Sequence, residues 1–167
     1  MSLRLLVEGL TEANVSFVVV GMVAGQMDGS RTATYDLDIV YEASDENITR
    51  LAGHLLTLDA YVKETWPNEG VASDFSRDVL VREQSLALGT REGELDVLHR
   101  IDGIGGYAEV RELSQPVRLG NGRDARVILL SALIASKRAS NRDKDRLHIV
   151  ELEAIGECQA PPRPPEN

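Results

Sequence analysis

Residues Phe17 to Tyr41 read FVVVGMVAGQMDGSRTATYDLDIVY, and the fold turns on how this stretch is parsed. Val15 to Val20 is a largely β-branched run of strand length, the composition of a central strand covered on both faces. Gly21 ends it. Val23 to Met27 suits a short helix, closed by the turn dipeptide Asp28-Gly29. Ser30 to Thr34 is polar loop, and Tyr35 to Tyr41 is a second strand, with Asp36 and Asp38 separated only by Leu37. Alternate residues of a strand share a face, so the two carboxylates emerge side by side, roughly 6–7 Å apart at Cα. Like charges that close repel unless a cation lies between them. Mg²⁺ takes one or two carboxylates together with substrate phosphates and water, so the pair asks for such an ion.

Outward from this stretch, Leu3, Leu6, Val7 and Leu10 recur at helical spacing and predict a first helix to about Ala13. Downstream, Asp45 is read as the N-cap of a helix through about Leu58, with Ile48, Leu51, Leu55 and Leu58 on one face. Ala60 to Glu64 suits a short strand, and Trp66 to Arg77 a long loop or partly ordered lid. Ser85–Gly89 and Gly93–Leu98 form a hairpin around Thr90-Arg91-Glu92, and its second strand carries Asp96. After the glycine-rich Ile101–Gly106 comes a short helix near Tyr107–Arg111. Pro116–Leu119 and Ala125–Leu129 then flank the hairpin signal Asn121-Gly122. Ser131–Ala139 is helical with Leu133 and Ile134 inward, Asn141–Asp143 interrupts it, and a last helix spans about Lys144–Ile155. The expected fold is α/β (α+β): a mixed sheet flanked by helices in a single domain, residues 1–157, followed by a disordered Pro-rich tail, 158–167.

Of 167 residues, 43% are hydrophobic and 27% charged, ordinary for a globular domain with an aliphatic core. A single cysteine, Cys158, excludes an internal disulfide framework and suits a reducing cytoplasm. No apolar run approaches membrane-span length, and Glu8 breaks the opening segment too early for a secretory signal. The formal net charge of −9 argues against long duplex nucleic acid as the main partner. It is compatible with a cationic small molecule, with a nucleotide held through metal, or with one restricted basic patch.

Asp96 offers a third carboxylate if its strand lies beside that of Asp36 and Asp38, and three convergent carboxylates can hold two metal ions. The plain alternative is an edge strand whose aspartates face water; the apolar flanks Leu37, Ile39 and Val40 count against it. Gly21 lets a phosphate approach the backbone, and the N–H of Met22 follows it. Arg31 and Thr32 are candidate phosphate contacts, while Ser30 and Thr34 read better as cap or turn residues. Lys137, Arg138, Arg142, Lys144 and Arg146 form a basic cluster from which Lys137 and Lys144 reach a triphosphate. A solvated helix face paired with Asp143 and Asp145 explains any one member equally well.

The run FVVVGMVAGQMDGSRTATYDLDIV resembles the signature of the DNA polymerase β-like minimal nucleotidyltransferase superfamily, with Gly21, Asp36, Asp38 and Asp96 matching by position and context. The approach RTATYDLD and the later segment ALIASKRASNRDKDRLHIVEL resemble its small prokaryotic branch, which includes toxin-type nucleotidyltransferases of toxin–antitoxin systems. Met22 departs from the small residue usual at its position. The resemblance implies Mg²⁺, a nucleoside triphosphate, and transfer of a nucleotidyl group to an acceptor hydroxyl. Asp36, Asp38 and Asp96 would be catalytic and metal-binding, and Gly21, Met22, Arg31, Thr32, Lys137 and Lys144 would bind the nucleotide. The acceptor would be RNA such as a tRNA end, a small molecule of aminoglycoside type, or a protein hydroxyl. A homodimer or an antitoxin-type partner suits so small a chain. The rival expectation is a non-catalytic module of the same fold that binds a nucleotide or a protein.

Overall fold

Neighbouring residues of a strand face opposite ways, yet Val18 and Val19 are both fully buried. The strand they share, β1 (Phe17–Val20), is therefore covered on both sides, as its β-branched run predicts. The computed structural model describes residues 2–63, 75–82 and 84–159. Before β1 comes α1 (Leu3–Glu12), and after it α2 (Gly21–Met27), β2 (Asp36–Tyr41), α3 (Asp45–Thr57), β3 (Tyr61–Val62) and α4 (Arg77–Arg82). The chain continues through β4 (Ser85–Gly89), β5 (Glu94–Leu98), β6 (Arg100–Ile101), β7 (Gly105–Gly106) and α5 (Tyr107–Glu112). It closes with β8 (Ser114–Arg118), β9 (Asp124–Ile128), α6 (Leu130–Ser140) and α7 (Asp143–Gln159).

The main sheet has seven strands in the order β3-β4-β5-β2-β1-β9-β8. It is mixed: β2 runs antiparallel to β1 and parallel to β5, and β1 runs parallel to β9. Two antiparallel hairpins, β4–β5 and β8–β9, flank this centre, and β3 adds antiparallel to β4 at one edge. Helix α1 packs on α3, β2 and β9, while α5 crosses β1, β2, β8 and β9. Helix α2 packs on β1, β2 and α6, and α6 packs along α7. The fold is thus a mixed α/β single domain, as expected.

One buried polar residue joins the layers. Asn47 of α3 has no solvent exposure. Its amide nitrogen donates to the Ser16 and Glu42 carbonyls at 2.9 and 2.8 Å, and its oxygen accepts from the Ser16 N–H at 2.7 Å. It satisfies backbone groups just outside β1 and β2, fixing the two strands that matter most to the site.

Several expectations are corrected in detail. The N-cap of α3 is Ser44, whose hydroxyl accepts from the Asn47 N–H, and Asp45 is the first helical residue. Arg77 opens helix α4 instead of ending a loop, and the proposed lid falls mostly on residues 64–74, outside the described set. The strand expected at Ala60–Glu64 is only Tyr61–Val62. The glycine-rich stretch forms a two-residue ladder, β6 with β7. Pro116 lies inside β8, which is tolerable because β8 is an edge strand. Helix α7 starts at Asp143 and runs to Gln159, past the expected end near Ile155. Asn141, in the left-handed region at φ 49°, turns the chain between α6 and α7.

Candidate active site

The site follows from register. In the parallel pair β2–β5, Asp36 lies opposite Glu94 and Asp38 opposite Asp96. All four belong to one sheet face, so two Asp-x-Asp-like segments make a two-by-two grid of carboxylates. One corner is neutralised: Lys63 Nζ donates to Glu94 Oε2 at 2.7 Å, and that bond, with the pull of Asp96 and Asp36, raises the lysine above its ordinary value. The other three, Asp36, Asp38 and Asp96, are half-buried, with one oxygen from each lying within 4.8 Å of the others. Strand β2 is interior to the sheet, with Leu37 and Ile39 fully buried, so the edge-strand alternative does not apply.

Gly21 makes room for the grid. Its φ is +63°, in the left-handed region, and a Cβ on it would stand 1.9 Å from Asp38 Oδ2. Any larger residue would push the carboxylate away. Met22, at the next position, is 5% exposed. Its Cε lies 3.3 Å from where a Cβ on Gly25 would stand, beside Leu152 and Leu133. The methionine therefore turns down along α2 into the packing against α6 and α7, and its backbone is what borders the cavity.

The loop before β2 is organised around Glu151 of α7. Ser30 Oγ, the Arg31 N–H and Thr32 Oγ1 donate to its carboxylate at 2.8, 2.7 and 2.5 Å. The Thr32 hydroxyl first, then the Arg31 amide and Ser30, hold Glu151 down at about 2. Ser30 is thus an anchor to another helix, and its Oγ also accepts the Thr32 N–H at 3.1 Å, the local turn contact expected of it. Thr32 is also spent on this anchor, and neither it nor Arg31 lines the cavity over the carboxylates. Thr34 does: its hydroxyl donates to Asp36 Oδ1 at 2.7 Å and orients that carboxylate. Glu94, Glu151 and Lys63 were not singled out from the sequence, and Thr34 was read there as a cap or turn residue. Only Glu94 carried a readable signal, because Glu94-Leu-Asp96 repeats the spacing of Asp36-Leu-Asp38.

The cavity above the grid has a volume of about 910 Å³. Lys137 stands on its wall. The ammonium donates to Asp145 Oδ1 at 3.1 Å and lies 3.3 Å from His148 Nδ1. Asp145 is itself 4% exposed. Burial alone would raise it, but hydrogen bonds from Ser140 and Lys137 outweigh this and hold it below the usual carboxylate value. Other members of the basic cluster are also paired: Arg138 with Glu153, and Arg146 with Asp143 at 3.9 Å. Lys144 lies in α7, and its side chain is outside the described residues. Among the described residues the lining carries six carboxylates, Asp36, Asp38, Glu94, Asp96, Asp102 and Asp145, against three cations, Arg100, Lys137 and Arg142.

No family model matches the sequence, and no curated protein matches it. Two solved structures are similar in fold. One is a lincomycin-bound lincosamide antibiotic adenylyltransferase, LnuA, with TM-score 0.61 and 14% identity, covering 93% of this chain and 98% of that one. The other is the antibiotic-resistance factor ANT(2'')-Ia, with TM-score 0.55 and 15% identity, covering 94% and 81%. The chain therefore shares the fold of nucleotidyltransferases over nearly its whole length.

Proposed function

We propose that this chain transfers a nucleotidyl group from a nucleoside triphosphate to an acceptor hydroxyl in a Mg²⁺-dependent reaction. The supporting observation is the triad Asp36, Asp38 and Asp96, three carboxylates converging at the floor of a cavity that Gly21 keeps open. Hard oxygen donors at this spacing suit one or two Mg²⁺ ions, held by these three residues. When bound, the ions would neutralise the triphosphate and polarise its α-phosphorus. Asp96 takes, or positions, the proton of the acceptor hydroxyl. The acceptor oxygen forms a bond to the α-phosphorus, the α–β anhydride bond breaks, and pyrophosphate leaves. Asp36 is kept in orientation by Thr34. Lys137, held on the wall by Asp145 and His148, presents positive charge towards the departing phosphates. The backbone at Gly21 and Met22 borders the phosphates. Arg31, Thr32 and Lys144 take a secondary part, since Thr32 is bonded to Glu151.

For the acceptor, a small cationic hydroxyl compound of aminoglycoside type fits best. The described lining of the cavity is predominantly acidic, and Arg138 and Arg146 of the basic cluster are paired with Glu153 and Asp143 of α7. The two similar structures belong to enzymes or factors of antibiotic resistance. A toxin-type RNA acceptor, bound through its phosphates, is less well matched to this acidic lining. The test incubates the chain with each α-labelled nucleoside triphosphate and Mg²⁺ against an aminoglycoside and lincosamide panel, total RNA and cell protein. Label on a small amine-bearing acceptor is the expected result. Label on RNA would establish the toxin-type reading, and no transfer together with no nucleotide binding would establish a non-catalytic module.

A further inference from the structure

A second concavity lies at the opposite end of β1. Val20, the last residue of β1, is in register with Asp38, whereas a cleft of about 530 Å³ opens beside Ser16 and Phe17 at the other end. The two cavities share no described lining residue. Among the described residues, four arginines line this cleft, Arg111, Arg118, Arg123 and Arg126, against one carboxylate, Asp124. In a chain of net charge −9, that is a strong local inversion of sign.

Scaffolding explains part of the cluster. Arg123 donates from Nη1 to the Thr11 carbonyl and Asn14 Oδ1 at 3.1 and 3.2 Å, tying the end of α1 to the β8–β9 turn. Arg126 donates from Nε to Ser114 Oγ at 2.9 Å and from Nη2 to the Ser114 carbonyl at 3.0 Å. Arg118 pairs with Asp124 at 2.8 Å and donates from Nη1 to the Gly122 carbonyl at 2.6 Å. Arg111 has no such reason to be there: no hydrogen bond or ion pair from a described residue reaches its guanidinium. A guanidinium has five N–H donors, so each of the four retains donors beyond these contacts. Several cations gathered in one cleft repel each other, and backbone carbonyls hold them but supply no balancing charge. A multivalent anion supplies it. Guanidinium forks match phosphate oxygens in pairs, and the half-buried ring of Tyr107 on the same wall offers a surface for a base. The volume is that of a small-ligand site.

We propose that this cleft is a second ligand site, which takes a small polyphosphate anion (a nucleoside di- or triphosphate, or free pyrophosphate) without a metal ion. It is independent of the carboxylate grid, where a polyphosphate is held through Mg²⁺. The test titrates pyrophosphate, ADP, ATP and adenosine into the full chain in EDTA and follows backbone amide shifts. Expected are saturable shifts at β8, β9 and the start of β1, weakened by added salt. Arg111→Gln and Arg118→Gln should each weaken binding about tenfold. Arg111→Gln should melt like the parent, while Arg118→Gln, which loses its contacts to Asp124 and Gly122, is compared at a temperature where its melting curve shows it folded. Tyr107→Leu separates the two sources: it weakens ADP and ATP but not pyrophosphate if a base stacks there, and none of them if phosphate alone is read. Shifts confined to β2 and β5, loss of all binding in EDTA, or unchanged affinity in both arginine variants would overturn the proposal. So would a short RNA that binds the cleft when pyrophosphate does not.

Discussion

Gly21 and Asp38 compete for one small volume, and the absence of a side chain on the glycine settles where the carboxylate stands. Gly21→Ala would place a methyl 1.9 Å from Asp38 Oδ2 at a φ of +63°. The left-handed backbone alone costs about 1–2 kcal/mol, and the displaced carboxylate adds to it. Urea unfolding should show at least that loss, and transfer activity should fall further than stability. Thr34→Val is the opposite case. It removes the hydroxyl that donates to Asp36 at 2.7 Å while keeping shape, so unfolding should shift by about 1 kcal/mol or less and turnover should drop about tenfold. Equal losses in stability and turnover would show that Thr34 only supports the fold. At this scale the sequence was partly legible. Asp36, Asp38, Gly21 and Asp96 stood out because acidic or glycine residues interrupt apolar strands. Glu94 and the role of Thr34, read only as a cap or turn residue, did not, because a threonine in a polar loop and a glutamate on a strand look the same whatever they touch.

Among the elements, α7 does more than its spacing announced. Through Glu151 it grips Ser30, Arg31 and Thr32, the loop that delivers Asp36. Because Glu151 is depressed from 4.5 to about 2, the clamp contributes fully above about pH 4.5 and is lost as pH falls towards about 2. The stability gap between the parent and Glu151→Gln should therefore be constant above about pH 4.5 and close below it, as followed by denaturant titration at several pH values. A gap that does not change with pH would mean that the carboxylate charge plays no part. In α3, Asn47→Ala removes three part-buried hydrogen bonds and strands the Ser16 N–H and the Glu42 carbonyl, a loss of about 3 kcal/mol on unfolding. The strands β1, β2, β4 and β5 and the helices α1 and α3 were legible from period and turn residues. Links such as Glu151 to Thr32 join residues far apart in sequence, and no local pattern encodes them. The cap of α3 was misread by one position because Ser44 and Asp45 are both good N-cap residues.

Across the whole molecule, charge is sorted along β1: a carboxylate grid at one end, an arginine cleft at the other, and a net charge of −9 over the chain. The net charge alone suggested no division of this kind, since a sum conceals its parts. No described helix is long and apolar enough to cross a membrane. The acidic cavity sets the behaviour expected of the site as a whole, in which nucleotide enters only with its counter-ions. Calorimetric titration of a non-hydrolysable ATP analogue with Mg²⁺, into the parent and into Asp38→Asn, tests this most directly. The parent should bind with Mg²⁺ and lose most of that binding in EDTA, and Asp38→Asn should bind at least tenfold more weakly with an unchanged melting curve. Equal, metal-dependent binding by parent and variant would contradict the assignment of the carboxylate grid.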